Sequence, residues 1–125
     1  MSREAVVTDR IAKPVGPFSA AVWDREALFV SGTVGQDPAT GKLVQGGVEQ
    51  ETPQIFRNLE AVLGAAGKTF ADVIKVNVYL ADMRDFAVVN ACYARHFDAP
   101  FPARTTVQVA ALPLGASVEM ELMAR

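Results

Sequence analysis

The sequence predicts an α+β domain: two helices packed on one face of a mixed sheet of about five or six strands. Two long stretches repeat apolar residues at helical spacing, and several shorter ones read as strands between turn signals. The resulting order, β-β-(β)-α-β-α-β-β, sets only two helices against those strands, which suits helices gathered on one face.

Taken in order, residues 18–23 and 27–33 read as strands separated by Asp24-Arg25-Glu26, a tight hairpin turn, and residues 37–42 form a second turn. Beyond Gly46-Gly47, Ile55, Phe56, Leu59, Val62, Leu63 and Ala66 recur at helical spacing; Pro53 is tolerable in a first turn and Gly67 is placed to end the helix. Residues 73–80 switch to period two, with Ile74, Val76, Val78 and Leu80 expected on one face and Lys75, Asn77 and Tyr79 on the other. A second helix carries Phe86, Val89, Tyr93 and Phe97 along one stripe, with Asp82 or Asp85 as its cap and Pro100 and Pro102 ending it. Residues 103–111 and 117–124 close the chain as strands joined by a turn over residues 112–116. The second sheet face is then expected to carry Lys75, Asn77, Tyr79, Arg104, Thr106, Gln108, Glu119 and Glu121. Such a face is either solvated or part of a subunit interface that encloses a polar cleft.

Length and charge bound the function. At 125 residues, half of them hydrophobic, the chain is read as one domain spanning residues 1–125. Twelve basic against fourteen acidic side chains leave a net charge of −2, without the positive excess that nucleic-acid or anionic-membrane binding draws on. One cysteine and one histidine exclude a disulfide framework and the Cys/His sets of structural zinc sites, so no metal is expected. No apolar run reaches the roughly 18 residues of a membrane span, and the first 20 residues lack signal-peptide features, so a cytoplasmic protein is expected.

Three groups compete for the chemistry. The stretch Gly35 to Lys42 superficially resembles a phosphate loop, but it has five residues rather than four between its glycines and Leu43 in place of a hydroxyl residue, so it reads as a turn. Cys92 and His96, four residues apart on one helix, could share a face, yet both flank the core stripe and packing is the favoured reading. Arg104 differs from these, because it lies in a strand of otherwise small, apolar or neutral residues with no sequence-local acid to neutralise it. Its planar fork suits a carboxylate held by two parallel hydrogen bonds. Glu119 is its companion on the last strand. If the last two strands form a hairpin, Glu119 lies opposite Gln108 and Arg104 opposite Met123, about four residues or roughly 13 Å apart. The two are then no intrachain ion pair, and an interface between subunits would bring them to one ligand.

Phe101-Pro102-Ala103-Arg104-Thr105-Thr106-Val107-Gln108-Val109-Ala110-Ala111-Leu112-Pro113, followed by Val118-Glu119-Met120-Glu121, resembles the C-terminal signature of the RidA family of imine/enamine deaminases. The resemblance extends to Val15-Gly16-Pro17-Phe18, Phe29-Val30-Ser31-Gly32, the Asp-Pro-Ala-Thr-Gly turn, the helix end Ala65-Ala66-Gly67, and residues 85–93. It implies a chorismate-mutase-like α+β fold assembled as a homotrimer with three clefts between subunits. It also implies hydrolysis of 2-imino acids and their enamine tautomers to 2-keto acids and ammonia, with no cofactor or metal. By the same resemblance Arg104 binds the substrate carboxylate, Glu119 positions water, Ser31 and Gly32 contact substrate and water, and Asn90 lines the cleft. Two further cleft positions depart from the family pattern: Phe18 stands where a tyrosine is usual, and Thr106 where a cysteine is common. The loss of one cleft hydroxyl at Phe18 points either to a bulkier or less polar substrate or to a non-catalytic trimer that binds small carboxylates. RNA cleavage, attached to parts of the family, is disfavoured by the acidic balance and the absence of clustered Lys and Arg.

Overall fold

Alternation along the last strand sets the frame. In β6 (Val118–Ala124), Val118, Met120, Leu122 and Ala124 are buried, while Glu119, Glu121 and Met123 turn to the other face. The same period buries Leu28 and Val30 in β3 (Ala27–Thr33), and Val76, Val78 and Leu80 in β4 (Val73–Leu80). A sheet with one apolar face must cover it, and two helices do so: α1 (Val48–Ala65) and α2 (Phe86–Tyr93). With β1 (Glu4–Val6), β2 (Ala21–Asp24) and β5 (Ala103–Gln108), they complete an α+β fold around a six-stranded sheet of order β1-β2-β3-β6-β4-β5. This computed structural model describes residues 3–125.

Every neighbouring pair is antiparallel except β4 and β5, which run parallel because α2 lies in the crossover between them. Ile55, Phe56, Leu59, Val62 and Leu63 of α1 fill the core. The Phe56 ring meets Phe70, Tyr93 and Phe97 edge-on, with centroids 5.7, 6.1 and 6.2 Å away. Gly67 ends α1 as expected: it takes φ 74°, and Lys68 N–H donates back to the Leu63 carbonyl at 2.8 Å.

The structure departs from the sequence reading at several points. The last two strands do not form a hairpin; β6 lies between β3 and β4, and β5 is an edge strand that pairs only with β4. Four buried residues on β6 favour a central position, whereas β5 has none. Arg104, Thr106 and Gln108 pair with Val76, Val78 and Leu80, so they project to the helix side and leave the polar face to Lys75, Asn77, Tyr79, Glu119 and Glu121. Ile74 is half exposed, because a register shift between Val73 and Lys75 turns it outward and gives its inner place to Val73. Helix α1 begins earlier than its apolar spacing suggests, so Pro53 is its sixth residue. Its first turns are seated by hydrogen bonds: Thr52 Oγ1 donates to the Val48 carbonyl, and Glu51 Oε1 accepts from Ser117 N–H at 2.8 Å. Helix α2 ends at Tyr93, before Pro100, and a tight turn carries Phe97 back into the core. Asp82 caps the short 3₁₀ turn before α2, and Asp85 makes no side-chain cap. β1 is too short for periodicity to reveal, and β2 starts at Ala21, later than expected.

Candidate functional site

The first group of site residues gathers at an irregularity in β3. Val30 pairs with Leu122 and Thr33 with Met120, so Ser31 and Gly32 together face the single residue Glu121. Such a bulge re-aims side chains without breaking the sheet. Ser31 is fixed at both ends: its N–H donates to the Ala20 carbonyl at 2.9 Å, and its Oγ donates to the Ser19 carbonyl at 2.6 Å. The hydroxyl proton is thereby committed, and what Ser31 offers a ligand is lone pairs. Gly32 lies against Glu119 so closely that a Cβ there would sit 2.7 Å from Glu119 Oε2. Phe18, half exposed, shares with Ser31 and Gly32 the wall of a cavity of about 80 Å³.

Glu119 is partly buried, and its carboxyl is raised above the usual range, first by burial and then by the nearby charge of Glu121. Glu121 itself is held in place, accepting from Asn77 Nδ2 at 3.3 Å and from the Tyr79 hydroxyl. That hydrogen bond, with burial and the two glutamates adding to it, pushes the Tyr79 phenol up to about 12. Tyr79 therefore serves as a fixed donor across neutral pH.

The second group surrounds Arg104 on the edge strand. Arg104 NH1 donates to Asn90 Oδ1 at 2.6 Å, and the guanidinium carbon lies 4.7 Å from the Tyr93 ring centre and 5.5 Å from that of Phe86. No acid neutralises it: among the described residues the ion pairs are Arg84 with Asp82 and Arg125 with Glu26. Asn90, Tyr93, Ala94, Phe101, Pro102 and Arg104 border an open cavity of about 430 Å³. Thr106, two residues along the same face, buries an Oγ1 that finds no partner among the described residues.

The structure thus brings Phe18, Ser31 and Gly32 to one cavity wall, with Glu119 against Gly32, and Arg104 and Asn90 to another site, with Thr106 beside Arg104 on β5. Glu119 and Arg104 lie on opposite sheet faces. Glu119 pairs with Tyr79, and Arg104 with Val76, whose other neighbour is Leu122; two strands and three residues separate them, roughly 14 Å. Within one chain they are no ion pair, although the register behind this differs from the expected hairpin. The aromatic surroundings of Arg104 were hidden from sequence reading, because Phe86 and Tyr93 belong to a stripe that looks like core. Cys92 and His96 make no hydrogen bond to each other; Cys92 is buried, and His96 stacks on Phe56 with centroids 4.1 Å apart. Burial, and then the Arg95 charge, lower the His96 imidazole. Residues 37–42 form a plain turn, with Asp37 N–H donating to the Lys42 carbonyl. No helix among the described residues is long and apolar enough to cross a membrane.

Residues 8–125 match the family model described as Endoribonuclease L-PSP. The 2-iminobutanoate/2-iminopropanoate deaminase of Mus musculus is 45% identical over 122 residues, which cover 98% of this chain and 90% of that protein. Reactive Intermediate Deaminase A, chloroplastic, of Arabidopsis thaliana is 43% identical over 124 residues, 99% of this chain and 66% of that protein. The crystal structure of RidA from the Antarctic bacterium Psychrobacter sp. PAMC 21119 superposes with a TM-score of 0.93 at 40% identity, covering 97% of this chain and 98% of that one.

Proposed function

The chain belongs to the Endoribonuclease L-PSP family, and from that membership and the chemistry of its two groups of site residues we propose that it hydrolyses 2-imino acids and their enamine tautomers. The products are 2-keto acids and ammonia. The observation that carries this reading is an arginine fork with no acid of its own, matched by a raised carboxyl on the opposite face. Arg104 is the clamp for the substrate carboxylate, with Asn90 fixing one of its N–H groups and the remaining donors available. Glu119 orients the attacking water. Attack on the C=N carbon of the iminium passes a water proton to Glu119 and leaves a carbinolamine. Glu119 returns the proton to the nitrogen, then takes the hydroxyl proton as the C–N bond breaks and ammonia departs; passing that proton to the ammonia releases 2-keto acid and ammonium and leaves Glu119 ionised again. A carboxyl raised towards neutrality serves both steps better than an ordinary one. Ser31 and the Gly32 backbone complete the polar wall, while Phe18 and Thr106 border the bound substrate.

Arg104 and Glu119 meet across subunits in this reading. A chorismate-mutase-like homotrimer sets the Arg104 group of one copy against the Glu119 group of the next, forming three equivalent clefts. The exposure of Phe29 and Val107 on the sheet face away from the helices supports burial there by another copy.

The test is release of 2-keto acid from 2-iminobutanoate and 2-iminopropanoate generated in situ. Acceleration by the wild type that disappears in Arg104→Ala is the expected result. No acceleration by the wild type, with activity gained in Phe18→Tyr, would overturn it in favour of a carboxylate-binding trimer.

A further inference from the structure

An arginine on an edge strand samples many rotamers, yet gripping a carboxylate through two N–H groups requires one. What holds Arg104 in this fold is the surface of α2. Phe86, Asn90 and Tyr93 recur at the spacing of one helix face, and all three meet the guanidinium. Tyr93 is the anchored member: it is 6% exposed, with its ring 4.6 Å from that of Phe97 and 6.1 Å from that of Phe56. We propose that Tyr93, with Phe86 beside it, is a positioning residue for Arg104, an aromatic seat that tethers the fork to the core and aims it at the incoming carboxylate.

The choice of an aromatic face has a chemical consequence. A glutamate in the same place would hold the arginine equally well but would neutralise it and compete with substrate. A ring holds the cation through its quadrupole and leaves the full positive charge to the ligand. The Tyr93 hydroxyl finds no hydrogen-bond partner among the described residues, so the ring rather than the phenol is the working part.

This inference rests on Arg104 as the carboxylate clamp, and it is tested by binding as well as by turnover. Affinity for 2-oxobutanoate, a product that cannot react further, is measured by calorimetry on the full chain. Replacing the ring in Tyr93→Leu is expected to raise Kd and KM about 5- to 10-fold with kcat within about twofold, as the loss of one desolvated cation–π contact implies. Tyr93→Phe restores the ring, and with it an affinity within about twofold of wild type. Phe86→Leu, at a half-exposed position outside the core, raises Kd about twofold and decides the matter alone if Tyr93→Leu fails to fold. Unchanged affinity in the leucine variants, or a loss in Tyr93→Phe equal to that in Tyr93→Leu, overturns the aromatic seat. If the wild type turns over imino acids while the leucine variants bind normally, the seat falls and the deaminase reading stands. Carboxylate binding without turnover, weakened in the leucine variants, has the opposite meaning. A wild type that binds no keto acid overturns the seat.

Discussion

Adding one methyl group to Gly32 tests the proposed role of Glu119 most directly. In Gly32→Ala the new Cβ would lie 2.7 Å from Glu119 Oε2 and 3.0 Å from its Cδ, where ordinary contact begins at 3.4 Å. The carboxylate must therefore retreat by roughly 0.7 Å, and misplacing a catalytic group by about 1 Å costs up to about 10²-fold in rate. The expected loss is about 10- to 100-fold in kcat, or about 1.4–2.7 kcal/mol of barrier. KM should stay within about twofold, because Arg104 is not touched. Stability should change by less than about 1 kcal/mol, since the obstructing atom is the end of a flexible side chain. Gly35→Ala is the control: a Cβ there would lie 2.9 Å from the backbone oxygen of Glu51, which cannot swing away, so that variant should melt earlier. Keto acid release under saturating imino acid, paired with thermal melts, separates the two. Wild-type kcat in Gly32→Ala, or a loss confined to KM, would refute the reasoning.

Two further outcomes follow from the same geometry. Glu119 must be ionised to accept the water proton, so activity falls as pH drops through its raised pKa, and Glu121→Gln removes one of the causes of that rise. The acidic limb of kcat/KM should move to lower pH in Glu121→Gln, yet stay above that of an ordinary glutamate, because burial is the larger cause; an unmoved limb would exclude Glu119 as the titrating group. Inactive Arg104→Ala and Glu119→Gln chains, unfolded and refolded together in equal amounts, should regain activity, because about one quarter of clefts then draw both intact groups from different copies. No recovery in trimers shown to be mixed would mean that both groups act from a single chain.

How much of this was legible in the sequence depended on whether the signal was local. The apolar spacing of α1 from Ile55 onward, the Gly67 terminator and the turn over Asp24-Arg25-Glu26, of which Arg25 and Glu26 form the tip while Asp24 still pairs in β2, are local, and each was readable. The opening of α1 was not, because Glu51, Thr52 and Gln54 are buried through hydrogen bonds that periodicity cannot register. The final strands misled for another reason. A proline turn suggests that neighbours in sequence pair, but strand order is decided by competition for the centre of the sheet, which β6 wins with four buried residues. At the site, Arg104 stood out as a cation in a neutral strand, with Glu119 as its companion. Ser31 and Gly32 emerged from family resemblance, and their physical signature, a register shift against β6, exists only once the strands are paired.

The separation of Arg104 from Glu119 has a reason in the chemistry proposed for them. An arginine within about 4–6 Å of a carboxylate lowers its pKa by about 1–3 units, the opposite of what a proton-carrying Glu119 requires. The same pair would occupy the fork that has to receive the substrate. At roughly 14 Å, beyond the screening length of about 8 Å at physiological salt, the two groups barely affect each other within one chain. Glu119 then keeps a pKa set by burial and Glu121, and Arg104 keeps its charge on an aromatic seat. In the proposed trimer, assembly would bring the groups together with room for a substrate between them, so that the first carboxylate to reach the arginine would be the substrate's own. On this argument the cleft between subunits is a condition of the chemistry, because a single chain that held both groups at contact distance would neutralise its own site.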